Sequence, residues 1–159
     1  MLDKLYSIQT YKNAQLLQVS SHIGIREGKR IRGQYRLTID DITEGKKFED
    51  AICTVRFPVD IHSLNKDENA GYSRGNRTLA YHIPYRALVP LGCDNLLLAG
   101  RCISGDFYAH ASYRVAGCVA PMGEAAGYAA ALCAKNGVAP ISVDTHEITK
   151  YMINLGYEI

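Results

Sequence analysis

Apolar positions recur at helical spacing at the start of the chain. Leu5, Ile8, Leu16 and Val19 fall near one face of a helix predicted over residues 2–19, with Lys4, Lys12 and Asn13 outside it. Beyond that stretch the period shortens. Residues 21–27 (SHIGIRE) and 35–37 predict short strands joined by a basic, glycine-containing turn. Thr38 is placed to cap a short helix through Asp40, Asp41 and Ile42, and Gly45 is placed to end it. Residues 51–62 alternate well enough for a strand, with Pro58 marking an edge or a bend. Residues 65–76 are polar and predict an exposed loop; residues 79–90 predict two extended pieces about Pro84.

The last third has a different rhythm. Residues 95–99 (NLLLA) form a short apolar run whose length suits a fully buried, parallel-type strand. A polar, aromatic loop is expected over residues 104–114. A helix is then expected over residues 119–135, with Pro121 in its first turn and Asn136-Gly137 closing it. Ser142 is placed to cap a final helix over residues 143–154, stopped by Gly156. Strand, loop and helix in this order predict an α/β class, in which ligands bind outside the carboxyl ends of strands, where Gly100 stands. Gly123 and Gly127 share a helix face that Ala126, Ala130 and Ala131 extend, so the helix can lie close to a sheet or a flat cofactor. Its amino terminus offers unpaired N–H groups and about +0.5 of a charge, which suits an anionic or electron-rich group. Plain close packing accounts for the same residues equally well.

Composition narrows the classes. The 159 residues allow one ordinary domain, and a net charge of +2 is no nucleic-acid footprint. Arg26, Lys29, Arg30, Arg32 and Arg36 make a small basic cluster, read as a solvated or substrate-facing stripe. The five cysteines are odd in number, widely spaced and without a CxxC, so neither a disulfide framework nor a metal site is expected, and a reducing, cytoplasmic setting is. The most apolar stretch, residues 115–134, is interrupted by Pro121, Gly123, Glu124 and Gly127, so no membrane span is expected. Ser104, Asp106 and His110 lie close in sequence, but no GxSxG accompanies them, which leaves a hydrolase with little support.

Several segments in this order and spacing resemble the FAD-dependent oxidoreductases related to the fumarate reductase and glutathione reductase flavoproteins. They are IGIREGKRIRG (residues 23–33), LTIDDITEG (37–45), DAI (50–52), VDIH (59–62), IPYRALVP (83–90), NLLLAGRCIS (95–104), Arg114-Val115 and MGEAAGYAAAL (122–132). Gly105, Asp106, Phe107 and Tyr108 depart from the pattern, standing where a more polar, His-containing loop is expected. The resemblance implies that residues 1–90 are part of a substrate or cap region. Residues 91–159 are then the carboxy-terminal segment of a Rossmann-like FAD-binding domain.

By the same resemblance, Gly100, Arg101 and Cys102 meet the cofactor, FAD. Pro121, Met122, Gly123, Ala125 and Ala126 belong to a helix end that faces the flavin's pyrimidine edge. His62 is a candidate substrate ligand or proton donor, or a structural histidine; Arg114 is a candidate for a substrate carboxylate or flavin oxygen, or a loop tie. Arg26 is a further catalytic candidate, with an ion pair to Glu27 in the core preferred to direct catalysis, and Tyr81, His82, Tyr85 and Arg86 either line a substrate pocket or pack at a seam. No GxGxxG occurs, so the chain is expected to be the carboxy-terminal portion of such an enzyme. Its expected partners are a small organic substrate, the amino-terminal half of the same chain and a second copy, with no nucleic acid or membrane. A non-catalytic binding or dimerisation module is the alternative.

Overall fold

A computed structural model describes residues 2–61 and 77–159. Its elements are mixed: helices α1 (Leu2–Tyr6), α2 (Ile39–Glu44), α3 (Phe107–Tyr113), α4 (Ala116–Asn136) and α5 (Thr145–Asn154), with strands β1 (Ala51–Val55) and β2 (Tyr81–Pro84). The strands pair antiparallel, Thr54 opposite His82 and Val55 opposite Tyr81. Alternation is of no use in reading this sheet, because both strands are covered nearly throughout. Helices α4 and α5 pack on β1. One continuous core joins Ile52, Val55, Tyr81 and Ile83 of the sheet to Met122, Ala125 and Ala129 of α4 and Ile148 and Met152 of α5.

The longest element departs from its expected limits. Helix α4 begins at Ala116, ahead of Pro121, so the proline lies inside it rather than in its first turn. Its far end matches expectation: Gly137 takes φ 67°, the left-handed conformation that a side chain resists, and donates its N–H to the Cys133 carbonyl. Its buried stripe is Cys118, Pro121, Met122, Ala125, Ala129 and Leu132, a helical repeat facing the sheet. Helix α2 forms as the sequence implies. The Thr38 hydroxyl accepts the Asp41 N–H at 3.3 Å, and the Asp41 carboxylate accepts the Thr38 N–H at 3.0 Å. That is a reciprocal capping box.

Other expectations fail for identifiable reasons. The amino-terminal helix stops at Tyr6, and Leu16, Leu17 and Val19 are exposed, since no packed surface meets that apolar face. Residues 95–99 are not a parallel strand: they run extended, with Leu96 exposed and the Leu98 N–H bonded to the Leu88 carbonyl at 3.0 Å. Residues 21–27 form no strand either. The loop expected over residues 104–114 is largely α3, started by Asp106, whose carboxylate accepts the Ala109 N–H at 2.8 Å. Likewise α5 starts after Asp144, not Ser142. Ser142 instead ends a 3-10 turn led by Pro140. Among the described residues no single helix is long and apolar enough to cross a membrane.

Thr38→Ala removes the hydroxyl half of the capping box and should lower unfolding free energy by about 1 kcal/mol. Urea denaturation followed by circular dichroism measures this. An unchanged midpoint would show that α2 is held by packing alone.

Candidate functional site

Residues 31–37, bent at Gln34 and Tyr35, run between two other segments. On one side the Gln34 N–H bonds to the Val89 carbonyl at 2.9 Å, and the Leu91 N–H bonds to the Arg32 carbonyl at 2.7 Å. On the other the Ile31 N–H bonds to Cys102 at 2.9 Å and the Leu37 N–H to Ser104 at 3.2 Å. This clamping fixes the loop after residue 99, where Gly100–Cys102 form a 3-10 turn. Gly100 is buried at φ 87°, and a Cβ there would stand 3.2 Å from Cγ1 of Val119 on α4. Only glycine suits both the conformation and the close approach. The turn therefore rests against the first part of α4.

That end of α4 is open. Its N-cap, Val115, has no side-chain oxygen to satisfy the first N–H groups, and Ala116 and Gly117 are exposed. A Cβ added at Gly117 would meet no atom within 4 Å. Pro121, Met122 and Ala125, expected at the helix end, instead lie within its buried stripe. Ala126 is half-buried, and Gly123 is exposed with open space about it. Of the small-residue strip, Gly123, Gly127, Ala130 and Ala131 are exposed, while Ala126 packs against the core. Ala126, Gly127 and Ala130 line a cleft of ≈ 660 Å³ with Asn95, Leu97 and residues 137–140.

The charged groups are arranged differently from expectation. Arg26 pairs with Asp60 at 2.6 Å, not with Glu27. Glu27 lies against Nη1 of Arg114 as an ion-pair contact without well-formed hydrogen-bond geometry, and the Arg114 Nη2 donates to the Asp60 carbonyl. The Arg114 side chain is only 3% exposed, its Nε has no partner among the described residues, and burial, then the Arg26 charge, lowers its pKa. Arg101 donates to the carbonyls of Ile25 and Arg26 at 2.8 and 2.9 Å. Residues 25–27 are thereby drawn to both arginines. The Cys102 thiol donates to the Ala99 carbonyl at 3.3 Å. His62 lies outside the described residues.

Two further groupings resolve as packing. Tyr81 and Tyr85 are buried, with hydroxyls donating to Ser112 and to the Pro140 carbonyl, while Arg86 is held by Asp50 at 2.9 Å. His82 accepts the Phe48 N–H at Nδ1. Ser104, Asp106 and His110 make no catalytic relay among the described residues: the Asp106 carboxylate accepts from Ile39 and Ala109, and neither ring nitrogen of His110 has a hydrogen-bond partner there. The backbone of Arg101 faces that ring outside good hydrogen-bonding geometry. All five cysteines are free, and burial pushes Cys53 up to about 12 and Cys118 up to about 11, which keeps both thiols protonated and unreactive.

A family model for the FAD dependent oxidoreductases matches residues 2–152. The chain belongs to that family. No curated protein and no solved structure matches it. Membership gives the α4 terminus a chemical context. An uncapped helix start carries N–H donors and partial positive charge, and it stands beside a turn from which a side chain is excluded. Those features fit a planar, electron-rich group such as the pyrimidine edge of a flavin. The sequence pattern placed the start of this helix at residue 119, later than the observed Ala116. Val115, β-branched and followed by Ala-Gly, was the available signal for an earlier start.

Burial lowers the pKa of His110 below 6.5, helped by the Arg30 charge, and burial followed by Lys47 lowers that of His82. In the unfolded chain each recovers the ordinary value and binds protons more readily. Stability from these groups is therefore complete above about pH 6.5 and is lost as pH falls through the folded pKa. Thermal melts should show a falling midpoint from pH 7 to 5, and His110→Phe should flatten that slope. An identical slope in the variant would assign the loss to other groups.

Replacing Gly100 tests the turn. Gly100→Ala should cost about 1–2 kcal/mol for the left-handed backbone, with the Val119 contact adding to it. Equilibrium unfolding reads the loss, and wild-type stability would mean that the turn relaxes freely.

Proposed function

We propose that the chain is the carboxy-terminal portion of an FAD-dependent oxidoreductase that moves hydride or electrons between flavin and a small organic substrate. The observation that carries this is the open start of α4 at Ala116 and Gly117, set beside the side-chain-free turn at Gly100, in a chain that belongs to the family. FAD, when bound, supplies the two-electron chemistry. The chain supplies position and field. The Ala116 and Gly117 N–H groups hold the electron-rich edge of the cofactor, and Gly100, Arg101 and Cys102 border its approach.

Residues 91–159 then serve as the end of a Rossmann-like FAD-binding domain and residues 1–90 as part of the substrate or cap region. Arg114 positions residues 26–27 and Asp60 through its buried contacts, and its unpartnered Nε leaves one donor for a substrate or cofactor oxygen. Arg26 and His62 are the further candidates for substrate contact. Without a GxGxxG the adenosine half of FAD needs another segment, read here as the amino-terminal half of the same polypeptide. A cytoplasmic setting and self-association complete the proposal, the latter from the exposed Leu96, Val138 and Ile141 near the α4 cleft.

The chain alone should retain little FAD. Joined to a strand–GxGxxG–helix half, it should elute with the visible absorption bands of oxidised flavin, which bleach on reduction. In that joined protein Gly117→Val should empty the flavin site with a modest change in apo-protein melting. Gly127→Val, on the open cleft, should leave flavin content near wild type. Equal flavin content in both variants would return α4 to a packing role.

A further inference from the structure

Exposure alternates along residues 31–37. Over residues 31–37 the inward set is Ile31, Gly33, Tyr35 and Leu37, and the outward set includes Arg32 and Arg36. With Arg30 they border a cavity of ≈ 410 Å³ whose floor is Gly33, Ser104 and Gly105. Close packing keeps that floor bare: a Cβ on Gly33 would stand 2.7 Å from Ser104 Cβ, and one on Gly105 would stand 2.7 Å from the Tyr113 ring.

These three arginines lack the carboxylate partners that most of the other described arginines have. Arg26, Arg56, Arg86 and Arg114 each meet a carboxylate, from Asp60, Glu158, Asp50 and Glu27. Arg101 spends its donors on two carbonyls. Arg30, Arg32, Arg36 and Arg77 have no carboxylate partner among the described residues, and of these four Arg30, Arg32 and Arg36 border the cavity. Asp106, adjacent to Gly105 in the chain, is committed to the N–H groups of Ile39 and Ala109. Three like charges around one concavity raise each other's energy and focus a positive potential, which a multivalent anion relieves. Guanidinium forks match the paired oxygens of phosphates and carboxylates.

We propose that this cavity binds a small molecule bearing a multivalent oxyanion, gripped by Arg30, Arg32 and Arg36 over the floor of Gly33, Ser104 and Gly105. The site stands on its own charges and does not depend on flavin occupancy. A diphosphate and a dicarboxylate share the required chemistry.

Calorimetric titration of the chain at low salt with inorganic pyrophosphate, and separately with malonate, tests it. Amide shifts of Gly33 and Gly105 report the location. At least one anion should bind, moving both glycine amides, and whichever binds more tightly identifies a diphosphate or a dicarboxylate as the source. Arg32→Gln with Arg36→Gln, both at exposed positions, should weaken binding about tenfold or more. Arg56→Gln, which removes an exposed charge elsewhere, should leave it unchanged. No binding of either anion, binding that leaves both glycine amides unmoved, or equal loss in the Arg56 control would overturn the site.

Discussion

Two short strands cannot persist alone in water, and the burial of β1 by α4 and α5, with β2 paired beside it, is the constraint from which the rest follows. Ile52, Val55, Tyr81 and Ile83 are almost wholly excluded from solvent, so the sheet acts as the centre of a core rather than as a surface. Helix α4 meets it with small or flexible residues, Ala125, Ala129 and Met122, which let the backbone approach closely. Everything attached to α4 inherits that fixed position. Its amino terminus is thereby held beside Gly100, and its opposite face is left bare along Gly127 and Ala130.

Ordered irregular backbone does much of the positioning. The strip at residues 31–37 has few regular bridges, yet its N–H and carbonyl groups are bonded to both flanking segments. Those bonds satisfy polar groups that would otherwise be costly to bury. They also orient the arginines outward and tie the 100–102 turn in place. Arg114 reinforces this from within. A guanidinium so deeply buried is tolerable only with partners, and Glu27 and the Asp60 carbonyl provide them.

Charge in this chain divides into completed local pairs and groups with no counter-charge among the described residues. Arg86 with Asp50 and Lys46 with Asp41 are local pairs that organise loops near the sheet, and Lys46 also lies 5.3 Å from the Tyr35 and Phe48 ring centres. The open α4 terminus and the unpaired arginines lack such completion. Positive potential without an internal counter-charge is what a protein retains where an anion or an electron-rich ligand belongs.

The sequence by itself determined the local and periodic features. Thr38, Asp41 and Gly45 specify a capped helix within a few residues, because capping geometry is a short-range matter. Gly137 closes α4 for the same reason, and the order of the family segments identified the flavoprotein class. Only the tertiary structure decided the start of α4, the helix at α3 and the partners of Arg26 and Glu27. Side-chain pairing across many residues leaves no periodic trace, so Asp60 could not be foreseen as the partner of Arg26. The run at residues 95–99 looks like a buried strand, but a strand exists only where a neighbour accepts its hydrogen bonds. Here, among the described residues, one backbone bond from a distant segment meets it, Leu98 N–H to Leu88. The predicted helix over residues 2–19 failed in the same way: an apolar stripe forms a stable helix only when tertiary packing covers it.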